Sequence, residues 1–251
     1  MYVVYGGCVV RGVKCNVILS YDYDHNTQGL GDKMCTLLSE SISSMDSLNI
    51  LNLRDNNLTD HSLPTVIDSC ITLAKTLITL DLSYNSIGIE SATSLNKYLG
   101  FTCEVSALRE LRLDNCGIDD QKCQIMLSLF KTTTNERSCP AGCVVSRLRT
   151  LTLSGNKCGN TEANLLLSSA LCNKTDNEIN SNNNPNTGVD NDDAISTGVL
   201  IANMLADSNC QLETLKLDWN LLKKNSIKVI CGALKTNTSL TSLDLSYNAL
   251  G

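Results

Sequence analysis

Leucines recur along this chain in a fixed frame that alternates with polar positions. The frame reads L-x-x-L-x-L-x-x-[NC]-x-[LIC], and the hexapeptide LDLSYN fills its centre twice, at residues 80–85 and 243–248. Six copies of the frame begin at Leu48, Leu77, Leu108, Leu148, Leu212 and Leu240. A period of two places both leucines of L-x-L on one face of a strand. The pattern therefore predicts six short strands, each with a buried leucine face.

Between these strands, apolar residues return every three or four positions, which predicts amphipathic helices. The five apolar stripes are Leu63, Val66/Ile67 and Cys70/Ile71; Ala92, Leu95 and Leu99; Cys123, Met126/Leu127 and Phe130; Ile195, Val199, Leu200, Ala202/Asn203 and Leu205; and Ile227, Ile230/Cys231 and Leu234. Asp60 and Asp119 stand near two expected helix starts, where aspartate caps well. A weaker seventh copy of the frame is predicted at Ile18, Tyr21, Tyr23 and Asn26.

The spacing of the copies predicts how the chain is divided. Three of the five intervals are 28 to 31 residues, but the other two are 40 and 64 residues. The long intervals predict inserts at about 132–146 and 173–193. The second insert holds eight asparagines in 21 residues and only two aliphatic side chains, too few to offset its ordering entropy, although a degenerate repeat hidden there is the alternative. Residues 1–47 are therefore expected to form an N-terminal segment with a degenerate or capping repeat, and residues 48–251 are expected to carry the repeats.

The frame resembles the leucine-rich repeat family, strongly over residues 48–251 and weakly over 18–47. Its unit of one strand and one helix in 28–29 residues resembles the ribonuclease-inhibitor subclass. The resemblance implies an α/β fold: a curved solenoid, or horseshoe, with parallel strands on the concave face and helices on the convex face. It also implies a structural ladder of side chains where each strand turns, formed by Asn56, Asn85, Cys116, Asn156, Asn220 and Asn248.

The last copy ends at Gly251 without a covering helix. Solenoids normally end in a polar capping unit. The chain is therefore expected to be truncated at its C-terminus, with further repeats or a capping domain beyond residue 251.

The charge and the cysteine content of the chain limit its possible ligands and its cellular compartment. The net charge of −6 and the pI of about 4.9 argue against binding to nucleic acid or to an anionic membrane surface. The 13 cysteines are odd in number and scattered, which fits a reducing compartment and predicts a cytoplasmic location, with the nucleus as the alternative. For Cys139 and Cys143, reduced structural thiols are favoured over a zinc site.

No sequence motif in this chain indicates catalysis. Neither a phosphate-binding glycine loop nor a hydrolase or metalloprotease motif is present. The two histidines, His25 and His61, are far apart. Asp114 and Asp218 could form a metal site, but a solvated acidic face is the favoured interpretation. The chain is therefore predicted not to be an enzyme and to carry no cofactor or metal.

Three columns of residues around the leucine cores are expected to be exposed on the concave face. They are Asn52, Asp81, Arg112, Thr152, Lys216 and Asp244; Arg54, Ser83, Asp114, Ser154, Asp218 and Ser246; and Asp55, Tyr84, Asn115, Gly155, Trp219 and Tyr247. Trp219 and Tyr247 fall in adjacent repeats and should be close neighbours. Because tryptophan and tyrosine are enriched in binding hot spots, they predict a protein-binding patch. The alternative is that both rings pad the turn beside the ladder.

The predicted function is a non-catalytic scaffold that binds a protein partner through the concave surface. The predicted partner-binding residues are Trp219, Tyr247, Tyr84, Asp218, Lys216, Asp244, Arg112 and Asp114. The resemblance also implies an alternative, a GTPase-activating protein of the Ran GTPase activator type, for which Arg54 and Arg112 are the only concave arginines. A fragment without an independent role is a third hypothesis.

Overall fold

The computed structural model describes residues 16–18, 29–101, 106–128, 147–159 and 196–250. Within these ranges, seven strands form one parallel sheet whose order follows the chain. The strands are β1 Asn16–Ile18, β2 Ile50–Asn52, β3 Thr79–Asp81, β4 Glu110–Arg112, β5 Thr150–Thr152, β6 Thr214–Lys216 and β7 Ser242–Asp244. The predicted inserts at 132–146 and 173–193 lie outside the described residues, as do Phe130 and Ile195 of the predicted stripes.

Six helices in the described residues cover one face of this sheet, and each contacts the next along the chain. They are α1 Gly31–Ser43, α2 Leu63–Ser69, α3 Ile89–Phe101, α4 Asp120–Met126, α5 Thr197–Ala206 and α6 Lys224–Leu234, with a 3₁₀ turn at Cys70–Leu73 after α2. Neighbouring strands lie about 4.8 Å apart, whereas packed helices need about 8–10 Å. The helical layer is therefore the longer one, and the sheet lines the concave side of a horseshoe, as predicted.

The leucine frame sets the register of the sheet. Successive strands align the first core leucine of every repeat in one row, formed by Leu51, Leu80, Leu111, Leu151, Leu215 and Leu243. The first five are at most 1% exposed, and Leu243 of the last repeat is half-buried. The core therefore runs as a continuous layer between the sheet and the helices.

The first strand exists, but its predicted frame is wrong by four residues. Val17 pairs with Leu51, and Ile18 pairs with Asn52, whereas the prediction aligned Ile18 with Leu48. Val17 is 3% exposed and extends the leucine row. The residue that fills the core therefore sets this register, and the spacing of the two tyrosines misled the prediction. Tyr21, Tyr23 and Asn26 lie outside the described residues.

The two aspartates expected at helix starts cap different helices. Asp119 caps its own helix, since its Oδ1 accepts the Lys122 N–H at 3.0 Å. Asp60 instead caps α3 of the next repeat, where its carboxylate accepts the N–H groups of Gly88 at 2.9 Å, Glu90 at 3.0 Å and Ser91 at 3.1 Å. A Cβ at Gly88 would lie 2.0 Å from the Asp60 carboxylate. Glycine therefore permits this contact between repeats.

We expect the Asp60 contact to make stability depend on pH. Burial opposes ionisation of Asp60, but hydrogen bonds from Ser91, Glu90 and Gly88 outweigh it and lower the pKa of the carboxyl group below its usual value. A carboxyl group whose pKa is lower in the folded state stabilises the folded state at pH values above its pKa in the unfolded chain, which is about 3.9. This contribution to stability is lost as the pH falls through the pKa of the folded state. Asp60→Ala should therefore cost about 1 kcal/mol at pH 7 and progressively less below pH ~4.

The measurement is urea unfolding of the Asp60→Ala variant and the unsubstituted protein between pH 3 and pH 7. Asp46→Ala is the matched control, because Asp46 is exposed on the loop after α1. A cost for Asp60→Ala that is the same at pH 3 and pH 7 would contradict the role of the charged carboxylate.

Candidate functional site

The concave surface rests on turns that are tied together from one repeat to the next. Asn156 shows the pattern: its Oδ1 accepts the N–H groups of Cys116 at 2.9 Å and Ile118 at 3.0 Å. Its Nδ2 donates to the carbonyls of Leu113 at 2.8 Å and Leu153 at 2.9 Å. Asn85, Asn220 and Asn248 make the same kinds of contact. These bonds hold the backbone of adjacent turns in one geometry.

Cys116 replaces the asparagine in the third repeat and makes fewer contacts. Its Sγ lies 3.3 Å from the Leu82 carbonyl oxygen, and the Ile87 N–H donates to the Cys116 carbonyl at 3.1 Å. Burial raises the pKa of this thiol to about 12, so it is protonated at neutral pH. Cys116 is therefore a buried structural thiol of the ladder.

The turn beside the ladder requires a left-handed backbone at one position in every repeat. The φ angles of this row are +56° at Asp55, +61° at Tyr84, +53° at Asn115, +68° at Gly155, +54° at Trp219 and +55° at Tyr247. Glycine adopts this conformation freely and asparagine or aspartate tolerates it, but for other residues it costs about 1–2 kcal/mol. The three aromatic residues of the row therefore occupy strained positions.

Trp219 and Tyr247 are neighbours, as predicted, and they form a parallel stack. Their ring centroids are 4.1 Å apart, and the ring planes meet at 12°. Trp219 is nevertheless 59% exposed and Tyr247 is 68% exposed. Rings that served only to fill the turn would be buried in it. The geometry therefore favours a presented aromatic surface.

Tyr84 occupies the same row but lies away from this pair. Three strand steps separate its repeat from that of Trp219, or roughly 14 Å at the usual strand spacing. The Arg54 guanidinium carbon lies 4.2 Å from the Tyr84 ring centroid, a distance at which a cation is attracted to the ring face. An arginine of the chain thus already occupies one face of this ring.

The predicted charged residues form short-range contacts along the same surface. Arg112 pairs with Glu110 at 2.9 Å. Hydrogen bonds from the Ser246 hydroxyl and N–H lower the pKa of Asp244 below its usual value, and Lys216 adds a smaller attraction. Lys216 itself is exposed. Both cations therefore lie near carboxylates of the chain.

Asp114 and Asp218 are joined through a serine. The Ser154 N–H donates to Asp114 Oδ1 at 2.9 Å, and the Ser154 hydroxyl donates to Asp218 Oδ1. Among the described residues, no cluster of three or more possible metal ligands occurs. The described helices also include none long and apolar enough to cross a membrane.

Some residues expected to be exposed are buried. Asp81 is 3% exposed, Ser83 0% and Thr152 5%. Asp81 accepts the Ser83 N–H at 3.0 Å. The prediction also missed a row on the same face of the strands, formed by Ile50, Thr79, Glu110, Thr150, Thr214 and Ser242. Strand alternation places this row two residues before the first column, which is the signal that would have found it.

Comparison with known proteins agrees with this architecture. A family model described as Leucine Rich repeat matches residues 74–95 and 236–251. The ribonuclease inhibitor of Sus scrofa is 26% identical over 226 residues, which cover 90% of this chain and 39% of that protein. The ribonuclease inhibitor of Mus musculus is 25% identical over 249 residues, which cover 89% of this chain and 44% of that protein. This chain thus spans about two fifths of the length of these relatives.

The fold defines a curved solenoid of parallel strand-and-helix repeats. More specifically, the chain is a leucine-rich repeat protein with ribonuclease-inhibitor-like repeats.

Proposed function

We propose that this protein is a non-catalytic interaction scaffold that binds a protein partner on its concave face, with Trp219 and Tyr247 as the central anchor. The observation that carries this proposal is the exposed ring stack on strained backbone. Strain at an exposed bulky residue is a cost to the folded chain, and such costs are commonly found where function requires them. Stacked rings are also a rigid anchor that loses little entropy on binding.

The surroundings of the stack support a protein ligand. Asp218, Asp244 and Lys216 lie in the same two repeats and can form the polar rim that surrounds an apolar anchor. The relatives are named ribonuclease inhibitors. We propose that this chain also binds a protein, and we do not assign ribonuclease as its partner. The seven described cysteines are free thiols, which supports our proposal of a reducing compartment, the cytoplasm or, as the alternative, the nucleus.

The GTPase-activating alternative gains no support from the concave arginines. Arg54 lies over the Tyr84 ring, and Arg112 pairs with Glu110. Each guanidinium is thus already engaged within the chain.

The test is to remove both rings without straining the turn. Trp219→Asn combined with Tyr247→Asn should keep the fold, because asparagine tolerates the left-handed conformation, and should change the unfolding free energy by less than about 1 kcal/mol. Partners captured from lysate by the unsubstituted protein would be identified by mass spectrometry, purified, and titrated calorimetrically against both proteins. We expect the double substitution to weaken the affinity at least ~30-fold, the effect of losing a hot spot.

Tyr84→Asn is the matched control, because Tyr84 is an aromatic residue in the same row at a distant repeat. It should leave the affinity within about threefold, since a residue outside the anchor contributes little. A folded double variant that binds the purified partner as tightly as the unsubstituted protein would refute the proposed site.

A further inference from the structure

The second face of the Trp219 ring is open to a ligand. Tyr247 covers one face, and the two rings stack along the row that runs across the repeats. Tyr247 belongs to the repeat after that of Trp219, so the other face of Trp219 is on the side of the preceding repeat, where Gly155 occupies the equivalent position and has no side chain. Trp219 is 59% exposed although Tyr247 covers one face, which favours an accessible second face.

The surface on that side of Trp219 is built from hydrogen-bond acceptors. A Cβ at Gly155 would lie 2.3 Å from Asn115 Oδ1, so the amide of Asn115 lies over the glycine. Asp114 and Asp218 flank Ser154, the residue before Gly155, and each uses Oδ1 for that serine. Among the described residues, no hydrogen bond engages the Oδ2 atom of either carboxylate. Asp218, which precedes Trp219 in the chain, and Asp114 thus each keep one carboxylate oxygen without a hydrogen-bond partner among the described residues.

The charge of this face favours a cation. The concave surface carries more acidic than basic side chains along its strands and turns. The five carboxylates that are not buried are Asp55, Glu110, Asp114, Asp218 and Asp244, and the three basic side chains are Arg54, Arg112 and Lys216. An anionic ligand near Trp219 would meet the carboxylates of Asp114 and Asp218. A cationic ligand would be attracted by both of them.

The chain itself shows what can occupy such a ring face. In the second repeat, Tyr84 is covered by Arg54, which comes from the preceding repeat at the residue before the left-handed position. The corresponding residue for Trp219 is Ser154. The ring in the fifth repeat therefore lacks the arginine that its counterpart in the second repeat has.

We propose that the open face of Trp219, together with Asp114 and Asp218, is a subsite for an arginine side chain of the protein partner. The guanidinium stacks on the indole ring and donates hydrogen bonds to the free carboxylate oxygens. Arginine fits better than lysine, because its planar group can stack and donate in two directions at once. This subsite rests on the proposed function and assigns one contact within it.

Fluorescence gives a direct test, because Trp219 is the only tryptophan of the chain. The full chain is titrated with a hexa-arginine peptide and with a hexacitrulline peptide, which has the same shape without the charge. We expect the arginine peptide to change the Trp219 emission and the citrulline peptide to bind at least ~10-fold more weakly. Asp114→Asn combined with Asp218→Asn should weaken the binding of the arginine peptide by a similar factor.

Two further variants keep the test specific. Glu40→Gln combined with Asp46→Asn removes the same charge from exposed positions on and after α1, and should leave the affinity for the arginine peptide within about twofold, since distant exposed charges are screened. Asparagine at position 155 tolerates the left-handed backbone, but its Cβ would displace the Asn115 amide. Gly155→Asn therefore crowds the space beside Trp219 and should weaken that affinity at least ~5-fold. Equal binding of both peptides, or equal weakening by the distant charge variant, would overturn the subsite.

The failure of this subsite can be separated from the failure of the proposed function. If the captured partner requires Trp219 and Tyr247 but binds normally to the Asp114→Asn, Asp218→Asn variant, the arginine subsite is wrong and the interaction face stands. If the partner does not require the two rings, the proposed function itself is wrong.

Discussion

Replacing Asn156 with alanine is expected to lower the free energy of unfolding by roughly 3–5 kcal/mol. The side chain is 5% exposed and holds two N–H groups and two carbonyl groups at 2.8–3.0 Å. Alanine would leave these buried backbone groups without a partner, and each orphaned group costs about 1–3 kcal/mol unless water reaches it. The large effect follows because one side chain serves the turns of two repeats.

The measurement is denaturant unfolding followed by circular dichroism. Asn248→Ala provides the matched control, since Asn248 makes the same kinds of contact in the last repeat but is only partly buried. Water can satisfy the freed groups there, so we expect a cost of about 1 kcal/mol. Equal costs at the two positions would show that burial of the ladder does not decide its contribution.

Leu111→Ala is expected to cost roughly 3–4 kcal/mol. Leu111 is 1% exposed and lies in the core row between Leu80 and Leu151. Because both neighbouring repeats are held by their own strands and helices, the core cannot collapse into the space that the smaller side chain leaves. The cost therefore combines the lost burial with the cavity term.

The same substitution at Leu243 is the control for Leu111. Leu243 occupies the equivalent position in the last repeat and is half-buried, so Leu243→Ala should cost only about 1–2 kcal/mol. Both variants are compared by urea unfolding at pH 7. If Leu243→Ala lowers the free energy of unfolding as much as Leu111→Ala does, the cavity term does not depend on having a neighbouring repeat on both sides.

Much of the candidate site follows from the frame alone. The frame predicted that Trp219 and Tyr247 would be neighbours, because equal positions of adjacent repeats lie side by side in a parallel array. It did not predict that Asp81, Ser83 and Thr152 would be buried, since the alternation of a strand tells which face a residue occupies and not how much of it neighbours cover. The roles of the eight predicted partner-binding residues remain predictions.

Contacts between repeats explain the other differences. Asp60 was expected at the start of its own helix but caps α3, because the free N–H groups it reaches belong to residues about 30 positions later. The first strand aligned through Val17, because the leucine row needed an aliphatic side chain there. Neither the N–H groups that Asp60 reaches nor the pairing of Val17 can be read from the residues nearby in the sequence.

The printed residues alone predict the repeat, the strands from Leu48 onward, the buried leucine rows and the positions of the ladder. These depend on a period of two within a strand and on one frame repeated along the chain, both of which can be seen in the printed residues. The stacking of Trp219 on Tyr247 and the left-handed backbone at both residues became apparent only in the folded chain. Those features depend on how adjacent turns are held together by hydrogen bonds between repeats, and such distances are set by packing and not by spacing in the sequence.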